Sequence, residues 1–411
     1  MMLRPPTNYR LFSAALAPAL LGHACRRALR DGGRDYLRGR LGFIEAGPDE
    51  APVWLHCASV GEVVTALPLL RALRDAGIGP LAVSTNTPTG FRTATKRVPD
   101  GVRVLYLPLD RPRPVGRFLD RLQPRAALVL ETELWPWLYA ALHRRAIPLF
   151  LVNARLSTRT LDAPAWWRGV AAWCLQHVQA VLARSEGDAE AFVRLGAPPD
   201  RVRTVGDLKL AAPDETPEAI ALPRPFVLAA STHDDEERRL AAAWRDRGPS
   251  GHLLVIAPRH PERGEAIARA LEADGHRVAR RGVDEPVAGE TTVYLADTLG
   301  ELTAFMAGSE LVIMGGSLIP HGGQNVLEPA RAGRAIVTGP HMDNFREATS
   351  ALLDAGALRQ CADVDAVMAT VVDLLGDPSA RQTMGERGRT LLERGREIPR
   401  RYVDALSEAL R

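Results

Sequence analysis

The sequence has few cysteines and little excess of charge. Its 411 residues include four cysteines, which lie far apart and form no CxxC pair: Cys25, Cys57, Cys174 and Cys361. They are typical of reduced thiols in a reducing compartment, not of a disulfide framework or a zinc site. The formal net charge is +3, which argues against a nucleic-acid-binding protein, because such proteins concentrate basic residues on one face.

Several motifs of common ligand sites are also missing. The chain contains neither a G-x-G-x-x-G fingerprint nor a P-loop lysine motif, so the usual dinucleotide and triphosphate loops are excluded. It has no H-x-x-x-H pair and no cysteine cluster with the spacing of metal ligands. We therefore expect no metal. No internal repeat indicates a solenoid.

The N-terminus lacks the long apolar run of a membrane span. Residues 11–25 (LFSAALAPALLGHAC) are mostly apolar and carry no charge except a possible one at His23, but a transmembrane helix needs about 20 apolar residues. Arginines follow at positions 26, 27, 30, 34, 38 and 40. This pattern favours an interfacial anchor, residues 1–42, on an anionic cytoplasmic leaflet. The alternative is a buried N-terminal helix of the first domain.

From residue 53 onward, short apolar runs alternate with stretches of helical periodicity. This alternation predicts βαβ units and parallel sheets. The predicted strands are Val53–Ala58, Leu81–Ser84, Val102–Leu107, Ala126–Leu130, Leu149–Val152, Val181–Ala183, Val202–Val205, Phe226–Ala230, Leu253–Ala257, Val293–Leu295, Leu311–Met314 and Ala335–Thr338.

The chain length favours two domains. Residues 211–225 contain four prolines and little apolar periodicity, which is typical of a linker. We therefore expect an α/β fold of two Rossmann-like doubly wound domains facing across a cleft. They cover residues 43–210 and 226–398, with a hinge at 211–225. A C-terminal helix, residues 399–411, is able to pack on either half, including back on the first.

The first half carries acids and a lysine in loops that follow predicted strands. Glu62 and Glu131 with Lys209 suit proton abstraction from a hydroxyl and control of charge during a displacement. A structural alternative exists for each. Ser59-x-x-Glu62 has the spacing of a helix capping box. Glu131 and Glu133 share a face if their strand continues through them, and a lone lysine is usually a solvated surface residue.

The second half carries groups that suit an anionic, nucleotide-like ligand. Arg259 follows a predicted strand, and backbone N–H groups are expected at Gly315–Ser317. A glycine-rich loop then enters a predicted helix at Asn325, where a helix N-terminus favours negative charge. Glu328, in the first turn of that helix, is placed to accept hydrogen bonds from a ribose diol.

Seven short blocks occur in a characteristic order along the chain. They are ASVGE (58–62), TPTG (87–90), ETELWP (131–136), NARLS (153–157), PRHPER (258–263), GGS (315–317) and N-x-L-E-P (325–329). In these blocks the chain resembles the Kdo transferases, which add 3-deoxy-D-manno-oct-2-ulosonic acid (Kdo) to lipid A precursors. GDLKL, residues 206–210, is a slight variant of a further family motif and keeps its lysine.

The resemblance implies a GT-B glycosyltransferase of lipopolysaccharide synthesis that moves Kdo from CMP-Kdo to a lipid A precursor. It implies Glu62 as general base, with Glu131 and Lys209 stabilising the transition state. The implied CMP-binding residues are Pro258, Arg259, Leu299, Gly300, Glu301, Gly315, Gly316, Ser317, Asn325, Val326, Leu327 and Glu328. The acceptor side would include Ser59, Gly61, Thr87, Thr89 and Gly90.

The resemblance further implies an enzyme with no cofactor, CMP-Kdo being a co-substrate, at the cytoplasmic face of the inner membrane. Its partners would be CMP-Kdo, the lipid acceptor and the anionic membrane surface, with no nucleic acid. Two alternatives remain open at this point. One is another GT-B sugar-nucleotide enzyme, either a UDP-sugar transferase or an epimerase. The other is a non-catalytic scaffold at the membrane surface.

Overall fold

The computed structural model describes residues 3–45, 50–156, 158–211 and 218–410. The chain divides into two compact units, residues 1–213 with 395–411 and residues 214–394. Part of the predicted hinge, residues 212–217, lies outside the described residues, as does Ser157 of the NARLS block.

The first unit is built on a parallel sheet. Within its described residues, seven strands pair in the order β3-β2-β1-β4-β5-β6-β7. They are β1 (Val53–His56), β2 (Leu81–Thr85), β3 (Arg103–Tyr106), β4 (Ala126–Leu130), β5 (Leu149–Ala154), β6 (Ala180–Ala183) and β7 (Val202–Thr204). The central strands are buried on both faces, as parallel strands covered by helices must be: Trp54 lies in the core on one face of β1, and Leu55 in the core on the other.

In the described part of the chain, two helices precede these strands and seven others lie between them. They are α1 (Thr7–Arg27), α2 (Gly33–Arg40), α3 (Val60–Asp75), α4 (Pro88–Arg97), α5 (Pro112–Leu122), α6 (Pro136–Arg144), α7 (Thr158–Leu161), α8 (Ala165–Leu175) and α9 (Glu186–Leu195). A π-helical turn, Ala28–Gly32, joins α1 to α2. Three of the helices begin at a proline, whose fixed φ suits the first helical position.

The second unit repeats this architecture. Within its described residues, seven parallel strands pair in the order β10-β11-β9-β8-β12-β13-β14. They are β8 (Phe226–Thr232), β9 (Leu253–Pro258), β10 (Val278–Arg280), β11 (Val293–Leu295), β12 (Leu311–Met314), β13 (Ala335–Thr338) and β14 (Leu358–Gln360). The helices are α10 (Glu236–Arg247), α11 (Gly264–Ala273), α12 (Leu302–Gly308), α13 (Leu327–Arg331), α14 (Arg346–Asp354), α15 (Val364–Gly376) and α16 (Pro378–Gly395).

Two strands were not predicted. β10 and β14 are three residues long and form the two edges of the second sheet. Each contains an arginine, and β14 also has a glutamine, so neither has the apolar run that identified the buried strands. The predicted strand Val53–Ala58 also proved too long, because β1 ends at His56.

The two ends of the chain both belong to the first unit. The C-terminal helix α17 (Ile398–Leu410) packs against α3 and buries Tyr402, Leu406 and Leu410 in one core of the first sheet. Helix α1 buries Tyr9, Ser13 and Ala24 along one side. Among the described helices, none combines the length and the apolar character needed to cross a membrane.

Candidate active site

The acidic residues of the first unit follow neighbouring strands. β2, β1, β4 and β5 are adjacent in the sheet, and parallel strands end at the same edge. The loops after them therefore meet there, which is where open α/β sheets bind ligands. These loops carry Asn86, Glu62, Glu131 and Arg155, respectively.

Glu62 is tied to the start of α3. Its backbone N–H donates to Ser59 Oγ at 3.2 Å, and Ser59 Oγ donates to Glu62 Oε1 at 3.0 Å. Its other oxygen, Oε2, accepts the Ala58 N–H at 2.8 Å. Burial of the carboxyl raises the pKa of Glu62, and the negative charge of Glu131 adds to that rise against the effect of the Ala58 hydrogen bond. Glu62 is thus a capping residue, and also a carboxylate with raised basicity.

Glu131 stands between two cations. Its Oε2 accepts from Arg155 Nε at 2.6 Å, and its Oε1 lies 3.7 Å from Lys209 Nζ. The Glu131 side chain is 14% exposed, so these charges act where water screens them weakly. β4 ends at Leu130, and Glu131 has a φ of 57°. The extended strand that would have put Glu131 and Glu133 on one face therefore does not form.

The Lys209 loop is held by the C-terminal helix. Tyr402 Oη donates to the Gly206 carbonyl at 2.9 Å and accepts the Asn153 N–H at 3.2 Å. Asn153 Oδ1 in turn accepts the Leu208 N–H at 2.9 Å. These contacts fix the residues before Lys209 against the end of β5. Sequence reasoning missed Tyr402, because nearly 200 residues separate it from this loop.

Glu133 is a further acidic residue of this edge. Burial, the nearby charge of Glu62 and then that of Glu131 raise the pKa of Glu133 to about 7, while Arg40 acts in the opposite direction. A carboxyl group with a pKa near neutrality is unusual in proteins in general, but such groups are common at functional sites.

The predicted acceptor-side residues have clear local roles. Ser59 and Thr87 are the N-caps of α3 and α4, and Thr87 Oγ1 accepts the Gly90 N–H at 3.0 Å. Thr89 Oγ1 lies 3.3 Å from Thr87 Oγ1. A Cβ at position 90 would lie only 3.0 Å from Thr87 Oγ1. Gly61 is exposed in the first turn of α3.

In the second unit, Arg259 directly follows β9. Pro258 is buried at the strand end, and Arg259 is exposed while its backbone N–H donates to the Thr232 carbonyl at 2.9 Å. Within the described residues, the Arg259 guanidinium has no hydrogen-bond or ion-pair partner. It is therefore available for an anionic ligand.

The Gly315–Ser317 loop differs from its prediction. The Gly315 N–H donates to the Ala230 carbonyl at 2.8 Å. The Gly316 N–H donates to Glu236 Oε2 at 2.7 Å, and the Ser317 hydroxyl lies between Met314 O and the Gly339 N–H. The N–H groups of both glycines are thus satisfied inside the protein and are not free for an anion.

Glu236 explains this arrangement. It is fully buried, and its oxygens accept three backbone N–H groups, those of His233 at 2.9 Å, Gly316 at 2.7 Å and Leu318 at 2.9 Å. Glu236 therefore joins the loops after β8 and β12. Sequence reasoning missed it because 80 residues separate it from Gly316.

The helix expected at Asn325 begins later and is short. α13 starts at Leu327 and has five residues, too few for a strong helix dipole. Asn325 Oδ1 accepts the Leu327 N–H at 3.2 Å, and Asn325 Nδ2 donates to Glu328 Oε1 at 3.0 Å. The helix predicted to begin at Asn325 thus begins two residues later, and the anion site expected there stays a prediction. Val326 and Leu327 are buried.

The Leu299–Glu301 turn is the third predicted donor segment. Leu299 is 86% exposed, and Gly300 has a φ of 88° that favours glycine. The Glu301 carboxylate accepts from Arg281 Nη2 at 2.8 Å and from Thr298 Oγ1 at 2.6 Å. The exposed Leu299 side chain and the main chain are thus the parts of this turn that a ligand can reach.

No metal centre accompanies these residues in the part of the chain that the structure describes: no three His, Cys, Asp or Glu side chains are grouped as metal ligands.

Comparison with known proteins places the chain in a family. Residues 35–212 match the family model of 3-deoxy-D-manno-octulosonic-acid transferase (kdotransferase). The 3-deoxy-D-manno-octulosonic acid transferase of Bordetella pertussis is 33% identical to this chain, over 98% of this chain and 99% of that protein. The chain belongs to the Kdo transferase family. The Kdo transferase of Haemophilus influenzae is likewise 33% identical, over 92% of each chain.

Membership of the Kdo transferase family makes the chain a glycosyltransferase and confirms the resemblance found in its sequence. The solved UDP-GlcNAc 2-epimerase of Neisseria meningitidis has 13% sequence identity and a TM-score of 0.58, covering 87% of this chain and 99% of that chain. This likeness concerns the fold alone. With the two parallel sheets, it confirms the predicted GT-B class of this Kdo transferase.

Proposed function

We propose that this Kdo transferase moves Kdo from CMP-Kdo to a hydroxyl of a lipid IVA-like precursor of lipid A, in lipopolysaccharide synthesis. Family membership supports Kdo as the transferred group. The observation that carries the residue roles is the edge of the first sheet, where Glu131 lies between Arg155 and Lys209 and its charge reaches Glu62. We assign the acceptor to this edge and the donor nucleotide to the second unit.

In the proposed reaction, Glu62 is the general base. Its carboxylate takes the proton of the acceptor hydroxyl while the hydroxyl oxygen forms a bond to the anomeric carbon of Kdo. The bond from that carbon to the CMP phosphate oxygen breaks, and its electron pair leaves with CMP. A single in-line displacement of this kind inverts the anomeric centre. The raised pKa of Glu62 supports this role, because a more basic carboxylate accepts a proton more readily.

Glu131 and Lys209 arrange charge around the reacting sugar. The donor sugar carries its own carboxylate, so a site of acids alone would repel it. Two cations beside Glu131, those of Arg155 and Lys209, offset that repulsion at this edge. Preorganised charges of this type stabilise a transition state because they need not reorient during the reaction.

On the donor side, Arg259 is the group proposed to bind the phosphate of CMP. It is exposed at the end of β9, and a guanidinium matches the geometry of phosphate oxygens. CMP leaves with a single phosphate, so we propose that arginine and lysine side chains provide the charge stabilisation and that no metal or cofactor is required. A purified enzyme supplied with ready-made CMP-Kdo should keep its rate when a chelator is added.

Helix α1 supports the proposed location at the cytoplasmic face of the inner membrane. Five large apolar side chains are exposed on this one helix, which is more than the surface of a soluble protein usually shows in one place. They are Leu11, Phe12, Leu16, Leu20 and Leu21. Basic residues, Arg26 and Arg27, occupy its last turn. Exposed apolar side chains along a helix that ends in arginines fit the interface of an anionic leaflet.

Calorimetry with CMP and with UDP, followed by a turnover assay, tests the proposal. We expect CMP to bind more tightly than UDP, and Kdo to reach the lipid acceptor from CMP-Kdo. A preference for UDP would contradict the donor assignment and favour a UDP-sugar enzyme. Binding of CMP without any turnover of CMP-Kdo would favour a non-catalytic scaffold.

A further inference from the structure

Arg40 does not lie with the other arginines of the N-terminal segment. It is the last residue of α2, and its guanidinium turns inward toward the carboxyl edge of the first sheet. Arg40 Nη1 donates to the Leu107 carbonyl at 2.7 Å and to Asn86 Oδ1 at 3.1 Å. The Arg40 carbonyl accepts the Leu109 N–H at 2.8 Å. The sequence had placed this arginine in a membrane anchor.

The loops that Arg40 joins follow β2 and β3. Asn86 directly precedes Thr87, the N-cap of α4. Residues 107 and 109 follow β3, which pairs with β2. One guanidinium and its own carbonyl thus tie the loop that leads into the predicted acceptor residues Thr87, Thr89 and Gly90 to the loop after β3.

Close packing of α2 brings Arg40 to this position. The Tyr36 and Tyr106 rings meet edge to face with their centroids 5.0 Å apart. Gly39 lies against Tyr106, and a Cβ at position 39 would come within 2.7 Å of the Tyr106 Cβ. The absence of a side chain at Gly39 therefore permits the approach that places Arg40 at the sheet edge.

The other end of the N-terminal segment reaches the loop that carries the acids. Tyr9 Oη donates to Asp110 Oδ2 at 2.6 Å. Asp110 also accepts the N–H groups of Trp137 at 3.1 Å and Leu138 at 2.9 Å. These two residues lie in the first turn of α6, which follows the loop that carries Glu131 and Glu133. Helices α1 and α2 are therefore attached to the site edge at two separate places.

We propose that Arg40 is a positioning residue of the transfer reaction, and that the N-terminal segment, residues 7–40, completes the acceptor side of the site as well as presenting exposed apolar side chains to a membrane. This inference rests on the proposed function. It assigns the segment a part in the reaction that persists when no membrane is present.

Because Arg40 is charged, its removal should change the pH dependence of the rate, which a loss of packing alone would not do. The pKa of Glu133 is raised by burial and by the charges of Glu62 and Glu131; the Trp135 side chain lowers it, and Arg40 is the cation that lowers it further. Loss of that cation should raise the pKa of Glu133 further. The proposed active form of the site contains an ionised Glu133, so the pH–rate profile should then move to higher pH, whereas a merely loosened fold would lower the rate at every pH.

The test compares full-length Arg40→Ala and Arg40→Lys with Arg38→Ala, a change of an exposed arginine on the same helix. Turnover of CMP-Kdo is measured with a detergent-dispersed acceptor, so that membrane attachment is not needed. We expect Arg40→Ala to lower kcat/KM for the acceptor at least about tenfold, since hydrogen bonds from a charged donor are lost, and to move the profile to higher pH.

Arg40→Lys should keep the wild-type pH profile but lose rate, because an ammonium cannot reproduce the guanidinium geometry. Arg38→Ala should change neither kcat/KM for the acceptor nor the pH–rate profile. Equal kcat/KM in the Arg40 and Arg38 variants would overturn the inference while leaving the proposed function intact. If Arg40→Ala does not fold, a wild-type rate in Arg40→Lys would overturn it. Absence of turnover in the unmodified enzyme would instead refute the proposed function.

Discussion

Replacing Glu62 with glutamine distinguishes its proposed role as a general base from its role in capping α3. Glutamine keeps one carbonyl oxygen, which can still accept the Ala58 N–H that Glu62 Oε2 accepts at 2.8 Å. Its amide group can donate to Ser59 Oγ in place of the contact at 3.0 Å. The cap therefore survives, but the amide cannot take a proton from a hydroxyl.

The capping role predicts a small loss of stability in the Glu62→Gln variant, whereas the catalytic role predicts a large loss of transfer rate. The hydrogen bond from Ala58 changes from a charged to a neutral acceptor, which costs about 1 kcal/mol. Burial already disfavours the charged carboxyl, as the raised pKa of Glu62 indicates, so the neutral amide recovers part of that cost. Loss of a general base, by contrast, lowers the rate by about 10²–10⁴-fold.

Three measurements on the purified Glu62→Gln variant decide between these roles: thermal unfolding, CMP binding by calorimetry, and turnover of CMP-Kdo. We expect near-normal unfolding and CMP binding with turnover reduced by at least about 100-fold. Asp363→Asn is the matched control, because Asp363 Oδ1 also caps a helix, accepting the Ala366 N–H at 2.8 Å, but lies in the second unit. Near-normal turnover in Glu62→Gln would refute the catalytic role and leave a cap alone.

Three further changes test other parts of the site. Glu236→Ala leaves three backbone N–H groups without their acceptor at about 1–3 kcal/mol each, so denaturant unfolding should show a loss of about 3 kcal/mol or more and calorimetry a weaker affinity for CMP. The raised pKa of Glu133 favours its protonated form in the fold, so its contribution to stability is complete below a pH of about 4.5 and is lost as the pH rises through about 7. The unfolding free energy of Glu133→Gln, measured against pH, should lack that decline. An unchanged decline in the variant would contradict the raised pKa of Glu133. Leu11, which is 69% exposed, should be a membrane contact, so Leu11→Ser should reduce sedimentation with anionic vesicles but not turnover in detergent.

The buried strands could be predicted because a parallel strand covered on both faces is an apolar run. Four of them, including β4 and β12, have the predicted bounds. The edge strands β10 and β14 carry charged or polar side chains and gave no such signal. Family blocks supplied the GT-B class, which neither composition nor periodicity alone distinguishes from other two-domain α/β folds.

Side-chain partners were harder to predict, because tertiary packing sets them. The spacing of Ser59 and Glu62 predicted the cap correctly, although the carboxylate accepts the N–H of Ala58 rather than that of Ser59. Arg40 belongs to an arginine-rich stretch, and nothing in its spacing separates it from its exposed neighbours. The Gly315–Gly316 N–H groups were expected to be free, since the sequence gives no sign that Ala230 and Glu236 accept them.

Mass spectrometry of the lipid product tests the proposed function most directly. Purified enzyme would be incubated with CMP-Kdo and a tetra-acylated lipid A precursor, beside parallel reactions with a UDP-sugar and with the Glu62→Gln variant. We expect the lipid to gain mass in whole Kdo residues with CMP-Kdo alone, and the variant to give little or no product. An unmodified lipid, or one that gains a sugar from the UDP donor instead, would contradict Kdo transfer as the function of this chain.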